Sequence, residues 1–378
     1  MSEIRVLQII SGNDIGGGAN HVLNLINYSL PRFICILGVI GDGPLYDKAK
    51  DMHIDVVKFP KGLLKCKNQI LEYVLENNID LIDFHGAKAF LLHYFLKKYL
   101  NVVSVATIHS NYKQDFLNSK FKFIFFTYLS IIGLKSFDYY VCVSKYIKDL
   151  MTKDGFKGQK FIVSNGINFN SVKVNENNSK IRKKLNIGED DFVFANVARM
   201  HPVKNQLNLI KAFSELEKEV KNIRLIIVGD GPLEQELKSK VSELDLEDKI
   251  IFTGFKENAA DYVNASNVSI LNSLSEGGLP PLVILESAAV KVPVIVSKVG
   301  DLDHVVNEKT GFVIENNDIY GTYKSMKDAF ISRDKLVGMG NSFYDFCMSN
   351  YSTDKFCSDY YNVYKKILTY NRSVNYDK

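Results

Sequence analysis

The chain has 378 residues, of which 46% are hydrophobic and 24% charged. This length suits two domains of roughly 150 to 200 residues each, and the ordinary composition excludes a disordered or fibrous chain. The net charge of +4 gives no reason to expect a nucleic-acid partner. The five cysteines are scattered and form no CxxC pair, which argues against a disulfide framework and a zinc site and fits a reducing cytoplasm.

The N-terminus enters an apolar, strand-like run at once. It lacks the basic region and apolar stretch of a signal peptide, so secretion is not expected, and no run reaches the roughly 18 apolar residues of a membrane span. Residues 1–160 carry 20 Lys and Arg against 14 Asp and Glu. A solvated surface explains this excess, but it would also draw the chain to an anionic bilayer or a phosphate-bearing substrate. We expect a cytoplasmic protein, with a peripheral contact at the inner membrane face left open.

Short apolar runs alternate with amphipathic segments along both halves of the chain. Those of the first half are RVLQIIS, ICILGVIG, IDVVKF, IDLIDFH, VVSVATIH, YYVCVS and FIVSNG. Those of the second half are FVFANVA, IRLIIVGD, KIIFTG, VSILNS, VPVIVS and GFVIE. Strands this apolar are buried on both faces, as in parallel sheets covered by helices. The sequence therefore predicts two doubly wound α/β domains.

The aromatic segment FKFIFFTYLSIIGL at residues 121–134 allows two interpretations. It fits a buried or half-buried helix, and it also fits a segment that contacts a membrane surface.

The polar stretch VKVNENNSK lacks apolar periodicity and predicts the domain boundary. The expected domains are residues 1–172 and 173–350, followed by a C-terminal helix over 351–378. An internal echo supports two similar halves, because VIGDGPL in the first half is matched by IVGDGPL in the second. Glycine and proline are favourable in such turns, so a common turn type alone could also explain this sequence similarity.

The segment SEGGLPPLVILES predicts a strand end, a loop and the start of a helix. First-turn amides of a helix have no intrahelical partners and favour an anion, and the backbone of Gly277, Gly278 and Leu279 can approach it closely. Glu286, near the second turn, can accept hydrogen bonds from a ribose, while Glu276 would face the other end of the ligand. Phosphate in the middle, ribose at one end and a sugar at the other describe a nucleotide sugar.

Two cations follow the strand FVFANVA, namely Arg199 and Lys204. Both can reach past its carboxyl end, where ligands of open parallel sheets bind, and charge-assisted hydrogen bonds from them would stabilise a leaving diphosphate. The alternative is a surface Arg and Lys at a helix start. We predict no metal site, because the acidic pair in DLD at residues 301–303 is of a kind found in many loops.

In the first half, three glycines precede the helix HVLNLI. Gly17 and Gly18 permit close approach to a donor phosphate or an acceptor, although a flexible turn would also use glycine. A dinucleotide site is a poor match, because no acidic residue at the end of the second strand is placed for a cofactor ribose. His109 ends the strand VVSVATIH and is a candidate for the active site, with a structural role as the alternative. His85 is a weaker candidate.

The ordered set of motifs resembles retaining glycosyltransferases of family 4, which have the GT-B fold of two Rossmann-like domains facing across a cleft. The motifs that carry the resemblance are DIGGGANHV, TIH, VCVS, SNGI, VARMHPVKNQLNLIKAF, IIVGDGP, FTG, the glutamate segment, PVIVSKVG and TGFVIE. The resemblance implies a nucleotide-sugar donor on the C-terminal domain and an acceptor mainly on the N-terminal one. It also implies that Arg199 and Lys204 contact the donor phosphates, Glu286 the ribose and His109 the transferred sugar.

The glutamate segment departs from the family pattern. Seven residues normally separate the two glutamates, whereas nine separate Glu276 from Glu286. Counting back from Glu286 places Gly278 at the first position, and counting forward places Glu276 there. A loop absorbs an extra Gly and Pro easily, so we favour Glu276 as the residue near the donor sugar.

The reaction that the resemblance implies is a metal-independent hexosyl transfer with retention of configuration and no cofactor, in which the leaving phosphate helps to remove the acceptor proton. The expected donor is a UDP-sugar, and the acceptor is a glycan or polyprenyl-linked glycan of a bacterial surface polysaccharide. In this fold the final helix, within STDKFCSDYYNVYKKIL, packs on the N-terminal domain. A nucleotide-sugar epimerase, a phosphorylase and a non-catalytic nucleotide-sugar-binding partner remain as alternatives.

Overall fold

The computed structural model describes residues 3–14, 16–113, 128–276 and 278–376. The chain forms two compact units. One runs up to Gly166 and takes in the residues from Thr353 onwards, and the other is Ile167–Ser352. Each unit is built on one parallel sheet. The predicted pair of Rossmann-like α/β domains is thereby confirmed.

The sheet of the first unit has seven strands within the described ranges, in the order β3-β2-β1-β4-β5-β6-β7. The strands are β1 (Arg5–Ser11), β2 (Ile34–Ile40), β3 (Val56–Phe59), β4 (Leu81–His85), β5 (Val103–Ile108), β6 (Tyr139–Cys142) and β7 (Gln159–Ile162). The strand order reverses between β1 and β4, and ligands of doubly wound sheets bind at such a switch point.

Helices cover both faces of this sheet, and each face has its own apolar core. The helices are α1 (Gly17–Tyr28), α2 (Pro44–Asp51), α3 (Leu63–Glu76), α4 (Gly86–Leu96), α5 (Lys145–Lys153) and, from the C-terminus, α14 (Thr353–Tyr376). Helix α14 packs against α1. It contributes the fully buried Tyr360, Tyr364 and Ile367 to one of the two cores.

The sheet of the second unit has six strands in the described residues, in the order β10-β9-β8-β11-β12-β13. They are β8 (Phe192–Val197), β9 (Ile223–Val228), β10 (Ile250–Gly254), β11 (Val268–Leu271), β12 (Val294–Ser297) and β13 (Gly311–Ile314). Its helices are α6 (Asn178–Lys184), α7 (Gln206–Glu219), α8 (Glu234–Glu243), α9 (Ala260–Asn264), α10 (Leu282–Ala289), α11 (Leu302–Val305), α12 (Ile319–Ile331) and α13 (Leu336–Tyr351). Its switch point lies between β8 and β11.

The two Gly-Asp-Gly segments occupy equivalent places in the two sheets. The first follows β2 and the second follows β9, which have the same position in the strand order. A side chain at Gly43 would lie 2.0 Å from the carbonyl oxygen of Gly12, and one at Gly231 would lie 2.4 Å from that of Met200. Both glycines have positive φ, at 155° and 148°. The repeated sequence therefore corresponds to a repeated close approach of two strand-end loops.

The observed division of the chain falls six residues before the expected boundary at 172/173. The amide of Ile167 donates to the carbonyl of Tyr351 at 3.0 Å, and Phe169 lies in a core of the second unit. These contacts join residues 167–169, which precede the polar stretch VKVNENNSK, to the second unit. At the other end, the division falls before Thr353 rather than at 350/351.

All five cysteines are free and buried. Among the described residues, no helix is long and apolar enough to cross a bilayer. Residues 121–127 of the aromatic segment lie outside the described ranges, so the two interpretations of that segment both stay open.

Candidate functional site

The second unit brings two predicted site residues together at its switch point. Lys204 ends a short 3-10 turn after β8, and Glu276 lies in the loop after β11, the neighbouring strand. Lys204 Nζ lies 2.6 Å from Glu276 Oε1, and the two side chains are 22% and 7% exposed. The result is a largely desolvated ion pair at the carboxyl edge of the sheet. Gly277, the next predicted residue, lies outside the described ranges.

Hydrogen bonds between the two loops hold this ion pair in place. Asn272 Nδ2 donates to the carbonyl of Asn205 at 2.9 Å, and the amide of Leu274 donates to the carbonyl of Val203 at 2.8 Å. Asn205 adopts a left-handed conformation, with φ of 58°, which asparagine tolerates better than most residues. The residues around Lys204 and Glu276 are therefore cross-linked by hydrogen bonds rather than left as free loops.

Arg199 is exposed two residues beyond the end of β8. Its carbonyl accepts a hydrogen bond from Gln206 Nε2 at 3.1 Å, which fixes the backbone at this point. Its guanidinium makes no hydrogen bond or ion pair with the part of the chain that the structure describes. This cation is accordingly available to an anionic ligand.

The start of helix α10 offers fewer free amides than the sequence predicts. Pro281 caps the helix and follows Pro280, and proline has no N–H. The amides of Ile284 and Leu285 both donate to the carbonyl of Pro281. Over 278–285, only the amides of the first two helical residues remain as first-turn donors for an anion.

The predicted loop residues Gly278 and Leu279 are both described. The side chain of Leu279 is buried in a core of the second unit, and its Cδ1 lies 2.1 Å from the position that a Cβ on Gly300 would take. Leu279 could therefore contact a ligand through its backbone only, while its side chain fixes the loop to the sheet.

Glu286 lies in the second turn of α10 and is half-buried. Burial raises the pKa of its carboxyl group. Within the described ranges, its carboxylate has no hydrogen-bond or ion-pair partner. A half-buried carboxylate without a partner is costly for folding, which makes it a candidate for ligand binding.

In the first unit, the predicted glycines lie beside the predicted histidine. Helix α1 begins at Gly17, whose missing side chain leaves open space within 4 Å. A side chain at Gly18 would lie 3.3 Å from Cδ2 of His109. His109 directly follows β5 and is half-buried. Gly17, Gly18 and His109 therefore form one location at the carboxyl edge of this sheet.

His109 belongs to a cluster of three imidazoles. Its Nε2 lies 2.8 Å from Nδ1 of His85, and its ring centroid lies 4.6 Å from that of His21. Burial lowers the pKa of His21 to about 4. Burial, and then the neighbouring imidazoles, hold the pKa of His85 and His109 well below the usual histidine value. All three rings are neutral at pH 7.

Beneath this cluster lies a buried polar network that sequence reasoning missed. Gln8 Oε1 contacts His85 Nε2 at 2.6 Å. Asp83 accepts hydrogen bonds from the hydroxyl groups of Thr107, at 2.8 Å, and Tyr364, at 2.7 Å. Burial raises the pKa of Asp83 to about 7. The available signal was the presence of Gln8 and Asp83 inside the apolar runs RVLQIIS and IDLIDFH, where a polar residue needs a partner.

Within the ranges that the structure describes, no group of three or more His, Cys, Asp or Glu residues could hold a metal ion. The candidate sites are therefore built from cations, single carboxylates and neutral imidazoles.

Comparison with known proteins identifies the family. Residues 15–171 match the model of Glycosyltransferase Family 4, and residues 177–341 match that of Glycosyl transferases group 1. The UDP-Gal:alpha-D-GlcNAc-diphosphoundecaprenol alpha-1,3-galactosyltransferase of Escherichia coli is 27% identical over 276 residues, which are 71% of this chain and 69% of that protein. The N-acetyl-alpha-D-glucosaminyl L-malate synthase of Bacillus anthracis is 25% identical over 333 residues, which are 83% and 81% of the two proteins.

A solved structure shows the same fold over almost the whole chain. The crystal structure of Anabaena Alr3699/HepE in complex with UDP superposes with a TM-score of 0.82, at 17% identity, over 96% of this chain and 100% of that one. With the two family models, this shows that the chain belongs to glycosyltransferase family 4 and has the GT-B fold.

Proposed function

We propose that the chain transfers a hexose from a UDP-sugar to a glycan or lipid-linked acceptor in bacterial surface polysaccharide synthesis, with retention of configuration. The observation that carries the proposal is the grouping at the carboxyl edge of the second sheet. There, the loop after β8 carries Arg199 as well as Lys204, and the helix after the Glu276 loop carries Glu286. Neither the Arg199 guanidinium nor the Glu286 carboxylate has a partner among the described residues. The UDP complex of the similar Anabaena structure and the name of the E. coli relative support UDP as the nucleotide and a lipid-linked acceptor.

Arg199 and Lys204 supply positive charge to the donor diphosphate. Charge grows on this group as the sugar–phosphate bond breaks, so contacts that strengthen in the transition state lower the barrier. A charge-assisted hydrogen bond contributes about 1.5 to 3 kcal/mol. The exposed guanidinium of Arg199 can engage a phosphate without breaking any contact to the described part of the chain, whereas Lys204 is held in position by Glu276.

Glu286 accepts hydrogen bonds from the ribose hydroxyls, and Glu276 contacts the donor sugar. Two hydroxyl donors would satisfy the half-buried Glu286 carboxylate, which has no partner among the residues that the structure describes. The ion pair between Glu276 and Lys204 supports counting the glutamate segment forward, because Glu276 Oε1 lies 2.6 Å from Nζ of Lys204, the cation proposed to bind phosphate. The backbone of Gly278 contacts the same end of the donor in this proposal, and Gly277, outside the described ranges, stays a predicted donor contact.

On the first unit, Gly17, Gly18 and His109 contact the reacting sugars. The neutral imidazole of His109 exchanges hydrogen bonds with a sugar hydroxyl rather than carrying charge. No metal or cofactor takes part, since Arg199 and Lys204 balance the leaving-group charge. The leaving phosphate itself assists removal of the acceptor proton.

A peripheral contact with an anionic membrane is part of the proposal, and one surface of the first unit supports it. We name it the α3–α4 surface, which comprises Leu63, Leu64, Lys65, Lys67, Phe95 and Tyr99. Its apolar members are exposed, with Leu64 72% accessible. The ammonium of Lys67 lies 3.9 Å from the centre of the Tyr99 ring, which joins α3 to the turn after α4 at this surface. Apolar and aromatic side chains beside lysines favour the interface of an anionic bilayer.

The test is transfer of radiolabelled sugar from a panel of UDP- and GDP-sugars to a polyprenyl-diphosphate-linked acceptor, with and without EDTA. We expect transfer from a UDP-sugar, unchanged by EDTA, and an α-linked product from an α-linked donor by NMR of the anomeric proton. An isomerised donor without acceptor would instead identify an epimerase. UDP-sugar binding without turnover under every condition would identify a non-catalytic partner.

A further inference from the structure

A line of buried hydrogen bonds crosses the first sheet and ends at His109. It runs from Asp83 on β4 to Tyr364 on α14, then to Gln8 on β1, His85 at the end of β4 and His109 after β5. Its successive distances are 2.7, 3.1, 2.6 and 2.8 Å. The first four groups are at most 1% exposed. Because buried polar groups almost always have hydrogen-bond partners within the protein, the contacts of these four groups can be assigned a donor and an acceptor.

The chemistry of each group fixes the direction of this line. The amide oxygen of Gln8 can only accept, so His85 Nε2 must carry the proton of that 2.6 Å contact. A neutral imidazole has one N–H, so His85 Nδ1 is an acceptor. His109 Nε2 must then donate to it across 2.8 Å. Nδ1 of His109 is left as an unprotonated acceptor.

The other end of the line holds the Gln8 amide in the orientation that this argument requires. The NH2 group of Gln8 contacts the hydroxyl oxygen of Tyr364 at 3.1 Å and the sulfur of Cys35 at 3.3 Å. The hydroxyl proton of Tyr364 is engaged with Asp83 at 2.7 Å, so that hydroxyl must accept from Gln8. Rotating the amide by half a turn would set two acceptors against each other at Tyr364, because the hydroxyl proton of Tyr364 already goes to Asp83.

We infer that Gln8 and His85 are positioning residues, which hold His109 in the tautomer whose Nδ1 accepts a hydrogen bond from a sugar hydroxyl. The inference rests on the proposed function for the identity of the ligand. His109 is the half-buried end of an otherwise buried line. Across the part of the chain that the structure describes, its Nδ1 has no hydrogen-bond partner. The ring also lies against Gly18, at the glycine-rich start of α1.

The tautomers can be measured directly in the full chain. Imidazole 15N shifts distinguish a protonated from an unprotonated ring nitrogen, with resonances assigned by His85→Gln and His109→Gln. We expect His85 and His109 of the wild type to carry their protons on Nε2 at pH 7.5. A wild-type His109 protonated on Nδ1 would overturn the inference, whether or not the protein transfers sugar.

Variants then test whether the tautomer matters. Gln8→Met keeps the side-chain length but removes the acceptor, so His109 should populate both tautomers and kcat/KM should fall about 10- to 100-fold. Gln8→Glu retains an acceptor towards His85 and should restore both the single tautomer and most of the rate. The matched control is Tyr360→Phe, which removes a buried hydroxyl that contacts His21 at 2.7 Å but leaves the line from Gln8 to His109 intact.

The kinetic pattern identifies the ligand and separates the possible failures. A rise in KM for the donor in Gln8→Met assigns the hydroxyl to the donor sugar, and a rise in KM for the acceptor assigns it to the acceptor. Equal losses in Gln8→Met and Tyr360→Phe would show a purely structural role and overturn the inference. The expected wild-type tautomer in a protein that transfers no sugar would support the tautomer assignment while refuting the proposed function.

Discussion

The carboxylate of Glu286 has no protein partner in the described ranges. Replacing it should therefore weaken ligand binding without lowering the stability of the ligand-free protein. Glu286→Gln should weaken UDP affinity about 10- to 100-fold, because the ribose loses a charged hydrogen-bond acceptor. Burial raises the pKa of this carboxyl group, so its ionisation at neutral pH works against folding. The melting temperature of the variant without ligand should therefore be equal to or above that of the wild type.

Isothermal titration with UDP and thermal unfolding without ligand measure the two effects. Glu236→Gln is the matched control, because Glu236 is an exposed carboxylate on α8 of the same unit. Unchanged UDP affinity in Glu286→Gln would place the ribose elsewhere.

The Lys204–Glu276 ion pair predicts that stability and turnover respond differently to single and double substitutions. Lys204→Met should lower kcat about 10- to 100-fold and should cost about 1 to 3 kcal/mol of stability. The stability falls because Glu276 is left almost buried without its partner, an effect smaller than for a fully buried pair since Lys204 is partly exposed. The double variant Lys204→Met, Glu276→Leu should recover stability but not turnover.

Urea unfolding and steady-state kinetics on the three proteins provide the check. A double variant that regained activity together with stability would show that the ion pair has a structural role only.

At the scale of helices and strands, the α3–α4 surface predicts binding to anionic vesicles. Leu64→Asp should weaken binding to vesicles that contain phosphatidylglycerol by about tenfold or more, because an apolar side chain in the interface is replaced by one that anionic lipids repel. Leu30→Asp is the matched control, since Leu30 is 63% exposed on the same unit but lies outside this surface. Flotation at two salt concentrations is the measurement, and equal loss in both variants would argue against this surface.

The strands could be predicted from sequence because their apolar runs are a local signal. Each of the thirteen predicted runs overlaps an observed strand. Strand β7 is misplaced: the sequence predicts FIVSNG, but the strand is Gln159–Ile162. The polar residues Gln159 and Lys160 pair with β6, and β7 is an edge strand of the sheet. Apolar periodicity does not mark strands of this kind, since edge strands are less buried.

The candidate sites, too, could be predicted from sequence only in part. Lys204 and Glu276 were predicted individually, and the parallel order of β8 and β11 explains why they meet. The buried network behind His109 could not be predicted, because Tyr364 and its partner Asp83 lie 281 residues apart in sequence. Only the packing of the last helix on the first sheet brings these groups together. Local pattern reveals a polar residue in an apolar run but not the partner that satisfies it.

At the scale of the whole molecule, the two units share the order of six strands but differ in their buried ionisable groups. His21, His85, His93 and His109 of the first unit all have a pKa lowered by burial. The pKa of His21 is lowered to about 4 and that of His93 to about 3. In the second unit, by contrast, His201 is half-buried and His304 is exposed. The two units should therefore differ in their response to acid.

The sign follows from proton linkage. Each of these histidines binds a proton more weakly in the folded than in the unfolded chain, so its contribution to stability is complete above about pH 6.5 and is lost as pH falls. Between pH 6.5 and 5, one such histidine loses about 2 kcal/mol, at about 1.4 kcal/mol per pH unit. Asp83 acts in the opposite direction, because its raised pKa of about 7 means that acid relieves a buried charge. Four histidines outweigh this single carboxyl group.

We therefore expect acidification from pH 7 to 5 to destabilise the first unit well before the second. Hydrogen exchange read by mass spectrometry, peptide by peptide, distinguishes the two units. The rings of His93 and Phe137 are stacked, with their centroids 3.7 Å apart. His93→Phe is therefore the informative variant, because it keeps an aromatic ring against Phe137 but removes one titrating group. It should reduce the pH 7 to 5 loss of the first unit by about 2 kcal/mol. Equal acid sensitivity of the two units, or no change in His93→Phe, would show that the buried imidazoles do not control acid stability.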